Sequence, residues 1–288
     1  MAQPISISRL KLPQGQLFWR EVGQGEALIF LHGSTKDGSQ WLPILDLLSP
    51  NHHCFAPDLL GFGESERPPI NYSIAGQVEC LADYFAALNL HQFYLIGHSL
   101  GGWIGASYAL KYPEQVRGLI LISPEGLEFP GHQRRRLWSK WLMSRPPIFS
   151  LTLKALSPVA KWFGFKARVK QSLDFRKRLL NSPTGYELMF RRDRSQIQSE
   201  LLNKVLQRSY TPTLILQGSQ DHPDSIFQSQ TYANLCPQAQ LRLINLGAND
   251  LPEAFPEYIA QEIEEFVQEI TKETFTQSST QQSLHLGT

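Results

Sequence analysis

The chain has 288 residues, 42% of them hydrophobic, and a formal net charge of +1, enough to bury a full core as one large domain or as a domain with an insertion. No window approaches the ~18 uninterrupted apolar residues of a membrane-spanning helix, and no basic start followed by an apolar run marks a secretory signal. Its three cysteines (Cys54, Cys80 and Cys236) are odd in number and lack CxxC or paired histidine spacing, which excludes a disulfide framework or a cysteine metal centre and predicts a reducing, cytoplasmic compartment.

Residues 5–12 and 16–22 read as a β-hairpin around Pro13-Gln14-Gly15. Residues 27–31 form a short, wholly apolar run, as expected of a strand covered on both faces. Another strand ends near Pro57. Residues 72–90 carry helical apolar spacing (Ile74, Val78, Leu81, Phe85, Leu88), with Ser73 as the cap. Residues 93–97 are strand-like, and a helix is expected directly after Ser99, ending at Tyr112-Pro113. Residues 118–122, 213–216 and 241–246 supply further strands. Residues 252–270 make a closing amphipathic helix, and the Ser/Thr/Gln-rich tail from Thr271 reads as disordered. Strands alternating with helices in this way argue for a mostly parallel sheet with helices on both faces.

Residues 124–210 interrupt the alternation. They are helix-prone, aromatic and basic, with Pro146-Pro147 and Pro158 as breaks. The net charge of +1 hides this segment: it holds 18 Lys/Arg against 6 Asp/Glu, leaving 9 basic and 20 acidic residues elsewhere. Such a stretch, inserted between two sheet strands, predicts a helical cap over the sheet edge. The expected organisation is therefore core 1–123, cap 124–210, core 211–270 and tail 271–288.

The chemistry-bearing text is Gly97-His98-Ser99-Leu100-Gly101. GxSxG alone is a weak signal, but here an apolar strand precedes it and a helix follows. That context places Ser99 on a strained turn with its Oγ exposed and the Leu100 N–H aimed at a developing oxyanion. Gly97 and Gly101 permit close approach of helix and strand. Leu31-His32-Gly33-Ser34 ends another strand, where the Ser34 N–H could complete an oxyanion hole. Asp58-Leu59-Leu60-Gly61-Phe62-Gly63 ends the next, and Gly218-Ser219-Gln220-Asp221 delivers a carboxylate at a third. All lie at strand C-termini, where ligands bind in open α/β sheets.

On these four motifs, in this order, residues from about 16 to 270 resemble the α/β-hydrolase family in its branch with a helical cap. The resemblance implies a three-layer fold with an eight-stranded, mostly parallel sheet. It implies Ser99 as nucleophile, Asp221 as the acid, and Leu100 and Ser34 N–H groups as the oxyanion hole. His32, Gly33 and Asp58 are implied as structural residues at the sheet edge. No cofactor or metal is implied.

The departure from the family lies at Gly247-Ala248-Asn249-Asp250-Leu251-Pro252. Aligned on Leu251-Pro252, the position of the usual catalytic histidine holds Asp250. An ordinary carboxylate, with a pKa near ~4, is a weak base towards serine. In a serine protease, losing the histidine costs about 10⁶ in turnover. Asp250 could face Asp221, so that the two carboxylates share a proton and the pair titrates as a unit. The plainer reading, that Asp250 caps the final helix and does no chemistry, is the one the sequence favours. Of the other histidines, His132 at the start of the cap and His222 beside Asp221 are the possible surrogate bases. His98 reads as a buried residue flanking the elbow, His52, His53 and His91 belong at the far end of the sheet, and His285 lies in the tail.

The cap text Arg134-Arg135-Arg136-Leu137-Trp138-Ser139-Lys140-Trp141 mixes cations with aromatic bulk, as do Trp162-Phe163-Gly164-Phe165-Lys166 and Asp174-Phe175-Arg176-Lys177-Arg178. This mixture suits an anionic membrane surface. It suits equally a cap whose apolar side covers the pocket. No nucleic-acid module accompanies the charge. The sequence thus predicts a hydrolase or acyltransferase acting on an apolar or lipid-like ester through Ser99 with a non-standard base. Its rivals are a binding protein that has lost its base and a membrane-associated scaffold.

Overall fold

The computed structural model describes residues 4–144, 147, 151–152 and 166–285. Eight strands form one sheet in the order β1-β2-β4-β3-β5-β6-β7-β8. The hairpin β1 (Ser6–Leu12) and β2 (Gly15–Val22) is antiparallel, and β2 runs antiparallel to β4 (His52–Asp58). From β4 onward every pairing is parallel, through β3 (Glu26–Leu31), β5 (Phe93–His98), β6 (Val116–Ile122), β7 (Thr213–Gly218) and β8 (Ala239–Ile244).

The central strands are apolar throughout because both faces are covered. Along β3, Leu28 and Phe30 join one core cluster while Ile29 and Leu31 join the other, as the two-residue period of a strand requires. In β5, Leu95 goes to one side and Ile96 to the other. Each such fully buried aliphatic or aromatic side chain contributes about 1.5–3 kcal/mol through removal from water. One face carries α2 (Ile74–Ala87) and α3 (Leu100–Lys111); the other carries α1 (Leu42–Leu48) and the long C-terminal helix. Ser73 caps α2, its side chain accepting from the Gly76 N–H at 2.9 Å.

Between β6 and β7 lies the cap, with α4 (His132–Leu142), α5 (Lys166–Asn181), α6 (Pro183–Tyr186), a π-helical turn (Glu187–Arg191) and α7 (Arg194–Glu200). Arg176 Nε donates to the Leu142 carbonyl at 3.0 Å, tying α5 to α4. Trp103 Nε1 donates to Glu200 O at 3.1 Å, tying the cap to α3. Pro158 and the Trp162-Phe163-Gly164-Phe165 segment lie outside the described residues.

After β7 come α8 (Pro223–Leu235), then β8, a one-turn α9 (Leu251–Ala254) and α10 (Pro256–His285). The single closing helix expected over 252–270 is thus two. Pro256 has no N–H to continue the first, and it begins the second. Helix α10 runs on through the Ser/Thr/Gln-rich stretch expected to be disordered. That stretch contains neither Gly nor Pro before Gly287, and it extends a helix already nucleated by packing.

Candidate active site

Sheet register brings the motif loops together. Leu31 pairs with Gly97, His98 with Ile122, Ile122 with Leu216, and Gly218 with Ile244. Loops leaving these five neighbouring strands therefore emerge side by side at one edge. They contribute Ser34, Ser99, Glu125, Asp221 and Asn249 to a single cleft of about 660 Å³, roofed by cap residues that include Arg134, Arg135, Trp138, Phe175, Arg178 and Phe190. This volume lies within the range of about 300–1,000 Å³ typical of small-molecule sites.

Ser99 sits at φ +52°, ψ −112°, an unfavourable conformation for a residue with a side chain. The turn is held from both sides: the Ser99 N–H donates to Ile122 O at 3.0 Å, and the Ser99 carbonyl accepts from Trp103 N at 3.2 Å and Glu125 N at 3.1 Å. The flanking glycines are required by contact. A Cβ on Gly97 would lie 2.4 Å from Gly101 O, and one on Gly101 would lie 2.2 Å from Leu31 O. Leu100 is the first residue of α3, so its N–H has no intrahelical acceptor. The Ser34 N–H likewise has no partner among the described residues. The Ser34 carbonyl, by contrast, accepts from Ser182 Oγ of the cap at 2.6 Å.

Asp58 is fully buried. It accepts from Arg20 Nη1 at 2.8 Å, Gly38 N at 2.7 Å and Glu64 N at 2.8 Å, and so binds β2 to the two loops around it. His32 is equally buried. Its Nδ1 is 2.9 Å from Gly33 O and its Nε2 accepts from Leu59 N at 3.0 Å, which fixes the proton on Nδ1. Burial lowers the His32 pKa.

A second imidazole binds three loops. Gly33 N donates to Gln40 Oε1 at 3.1 Å, so the Gln40 amide nitrogen faces His98 Nδ1 at 2.8 Å. Nδ1 must therefore accept, and His98 Nε2–H donates to the Asn249 carbonyl at 2.7 Å. The ring is neutral, and burial pushes its pKa down. Both ring nitrogens are committed, so His98 offers no base to Ser99.

The acid strand end departs from the sequence expectation by one residue. Asp221 Oδ2 accepts from Gln217 Nε2 at 3.0 Å and more distantly from Asn249 Nδ2 at 3.4 Å; its Oδ1 accepts from the His222 N–H at 2.6 Å. The group meeting Asp221 is thus the Asn249 amide, not the Asp250 carboxyl. Asp250 is exposed, does not line the cleft and stands at the start of α9, its carbonyl accepting from Glu253 N at 3.1 Å and Ala254 N at 2.8 Å. Leu246, in the turn after β8, adopts φ +61°. The shared-proton pair of Asp221 and Asp250 is not assembled.

His222 lines the cleft with Ser99 and is exposed, with its Nδ1 capping α8 by accepting from Asp224 N at 3.2 Å. Asp224 Oδ2 lies 3.4 Å from the same nitrogen. His132 does not line this cleft; it faces a smaller cavity on the other side of α4.

Sequence reasoning missed Glu125 and Arg135. Glu125, three residues past β6, is buried in the cleft wall and pairs with Arg135 Nη2 at 2.6 Å, with Gln228 Nε2 at 3.2 Å as a further donor. Burial opposes ionisation of Glu125, but the Arg135 guanidinium and these hydrogen bonds hold its carboxyl below the ordinary range. The available signal was positional: Pro124-Glu125-Gly126 follows a central strand just as the other motif loops do. Among the described residues, no group of three or more His, Cys, Asp or Glu side chains is placed to hold a metal ion. All three cysteines are unpaired and buried, and burial pushes the Cys54 and Cys80 thiols up to about 12.

Comparison with known proteins gives a consistent assignment. The family profile of the α/β hydrolase fold matches residues 26–253. A 1-acylglycerol-3-phosphate O-acyltransferase of Mus musculus is 35% identical over 128 residues, which is 43% of this chain and 36% of that protein. A 2-hydroxy-6-oxo-2,4-heptadienoate hydrolase of Pseudomonas putida is 34% identical over 128 residues, 43% of this chain and 46% of that protein. These matches span less than half the length of either relative. Among solved structures, a membrane phospholipase A superposes with a TM-score of 0.72 at 23% identity, covering 93% of this chain and 87% of that one. A thermophilic esterase from Thermogutta terrifontis gives 0.70 at 22% identity, covering 92% and 99%. With the family matched over most of its length, and with hydrolases and acyltransferases among its relatives, this chain belongs to the α/β-hydrolase family.

Proposed function

We propose that the protein is a serine-dependent hydrolase or acyltransferase acting on an apolar, lipid-like ester in the cleft beneath the cap, with Ser99 as nucleophile. The observation that carries this reading is the backbone at Ser99. A non-glycine residue at φ +52° costs on the order of 1–3 kcal/mol, which a glycine there would avoid. Strain of this kind has a use when a side-chain oxygen must project into a pocket. The Leu100 and Ser34 N–H groups are the oxyanion donors in this reading, and Trp138, Phe175, Met189 and Phe190 supply apolar wall for the ester.

The base is non-standard. Among the described residues His222 is the one histidine lining the cleft. To accept the Ser99 proton at Nε2, its ring must release the Asp224 N–H and place its own Nδ1–H on Asp224 Oδ2, 3.4 Å away. His222 and Asp224 then act as a displaced imidazole–carboxylate pair. Labelling with a fluorophosphonate probe tests this: Ser99→Ala abolishes labelling and His222→Gln slows it by at least tenfold. A protein that never labels sinks the activated-serine mechanism.

The second reading is a binding protein of the same fold that holds the ester without cleaving it. The Asn249 amide beside Asp221 favours it, since an amide cannot take a proton at neutral pH. Both readings accommodate contact with an anionic membrane. Leu137 and Trp141, 58% and 62% exposed, stand on α4 among Arg134, Arg135, Arg136 and Lys140. Equal co-sedimentation with neutral and anionic vesicles would remove the electrostatic membrane contact.

A further inference from the structure

Helix α4 breaks two local rules. Its first turn carries no acidic residue, although the positive end of the helix dipole favours one; Arg134 and Arg135 stand there instead, with Arg136 directly after them. Arg136 and Lys140 also stand four residues apart on one face, where like charges repel, with His132 one turn before them. Arg135 is neutralised by Glu125. Among the described residues the other cations have no such answer: Lys140 has no ion-pair partner there, and Arg136 donates there to the Phe190 and Arg192 carbonyls alone. Places where a sequence violates local preference without internal compensation are where a ligand is to be sought.

The stripe faces a cavity. On the side of α4 away from Ser99, a concavity of about 180 Å³ is lined by His132, Arg136, Lys140, Arg194, Glu128 and apolar groups including Leu137 and Ile197. None of its lining residues lines the Ser99 cleft. Arg194, the first residue of α7, approaches from across the groove, exposed and without an ion-pair partner among the described residues. Three permanent cations thus surround the space against one carboxylate, Glu128. The two carbonyls that hold Arg136 fix its guanidinium plane without neutralising it, so the charge is set in place before any ligand arrives. The cavity is too small for a drug-sized ligand but large enough for a tetrahedral oxyanion, with Leu137 and Ile197 beside it to contact an attached apolar group.

We propose that this cavity is a second binding site, distinct from the Ser99 cleft, for a phosphate-class anion: a phosphate monoester carried by a lipid headgroup or by a soluble molecule. Arg136 is the fixed anchor, Lys140 and Arg194 close on the anion from either side, and His132 adds a donor. The site is independent of whether Ser99 is activated.

Calorimetric titration of the full chain with inorganic phosphate, against sodium chloride of matched ionic strength, reads the site directly. One phosphate should bind per chain. The Lys140→Gln/Arg194→Gln double variant, which changes only exposed side chains, should weaken binding at least tenfold, while Glu128→Gln should strengthen it several-fold by removing the opposing carboxylate. Ser99→Ala should leave it unchanged. Flotation with phosphatidate vesicles, compared with phosphatidylcholine vesicles, separates the sources. Capture by phosphatidate that free phosphate competes away identifies a headgroup site, and phosphate binding without capture identifies a soluble ligand. No phosphate binding above the chloride control would overturn the proposal. So would a loss produced by Arg134→Gln/Arg178→Gln in the cleft with none in Lys140→Gln/Arg194→Gln.

Discussion

His98 Nε2 donates to the backbone carbonyl of Asn249 at 2.7 Å, across 151 residues of sequence. Through Gln40 the same ring reaches Gly33, so one neutral imidazole joins the Ser34 loop, the Ser99 elbow and the loop after β8. Its job is geometric. A proton on Nδ1 would meet the Gln40 amide donor and break the connection.

That connection makes stability depend on pH. Burial lowers the folded-state pKa of His98, and of His32 as well, below the ordinary ~6.5. Below about pH 6.5 the unfolded chain binds protons that the folded chain refuses. The stabilising contribution is therefore complete above about pH 6.5 and is lost as the pH falls towards the folded-state values. Unfolding free energies from urea titration should fall between pH 7 and pH 5, by up to ~1.4 kcal/mol per pH unit for each such imidazole. His98→Gln should remove one proton's share of that slope; an unchanged slope would contradict the neutral latch.

Asn249 and Asp250 compete for the position a histidine would take, and substitution separates them. Asn249 faces Asp221 and lines the cleft, whereas Asp250 does neither. Asn249→His should therefore create an imidazole–carboxylate pair with Asp221 and raise fluorophosphonate labelling of Ser99 by at least about tenfold, a small part of the roughly 10⁶ that a histidine supplies in a serine protease. Asp250→His should have little effect. If Asp250→His gives the larger gain, the register inferred from Leu251-Pro252 is the functional one.

Glu125 and Arg135 form a largely buried pair at 2.6 Å. Glu125→Gln leaves the guanidinium facing an amide and should cost on the order of 3 kcal/mol at pH 7, since breaking a buried pair strands one charge. The Glu125 carboxyl is held below its ordinary range, so its contribution is present above the unfolded value of about 4.3 and is lost as the pH falls through the folded value. The gap between wild type and variant in chemical denaturation should narrow from pH 5 to pH 3. A gap that widens in acid would contradict the ion pair.

Ser182 on the cap donates to the Ser34 carbonyl at 2.6 Å and so steadies the segment that carries the Ser34 N–H. Ser182→Ala should cost about 1 kcal/mol of stability. If Ser34 serves as an oxyanion donor, labelling of Ser99 should slow by about tenfold, less than the 10²–10³ lost when such a donor is removed outright. Equal labelling of variant and wild type would show that the cap does not support this loop.

The sequence determined the fold and the place of each motif loop, because those signals are local. An apolar strand, a tight Gly-x-Ser-x-Gly turn and a helix are specified by neighbouring residues, and the order of such units sets the sheet. Ser99 at φ +52° and the close approach of Gly97 to Gly101 follow from five consecutive residues, whereas the contact of Gly101 with Leu31 needs the neighbouring strand. Tertiary structure decided what faces what. The Asn249–Asp221 contact depends on how two loops 28 residues apart turn after β7 and β8, and a one-residue difference there exchanges an amide for a carboxylate. The Gln40–His98 bond and the Glu125–Arg135 pair join segments that no local preference connects. Helical spacing alone places His132, Arg136 and Lys140 on one face of α4, but only the approach of Arg194 from α7 makes that face a cavity.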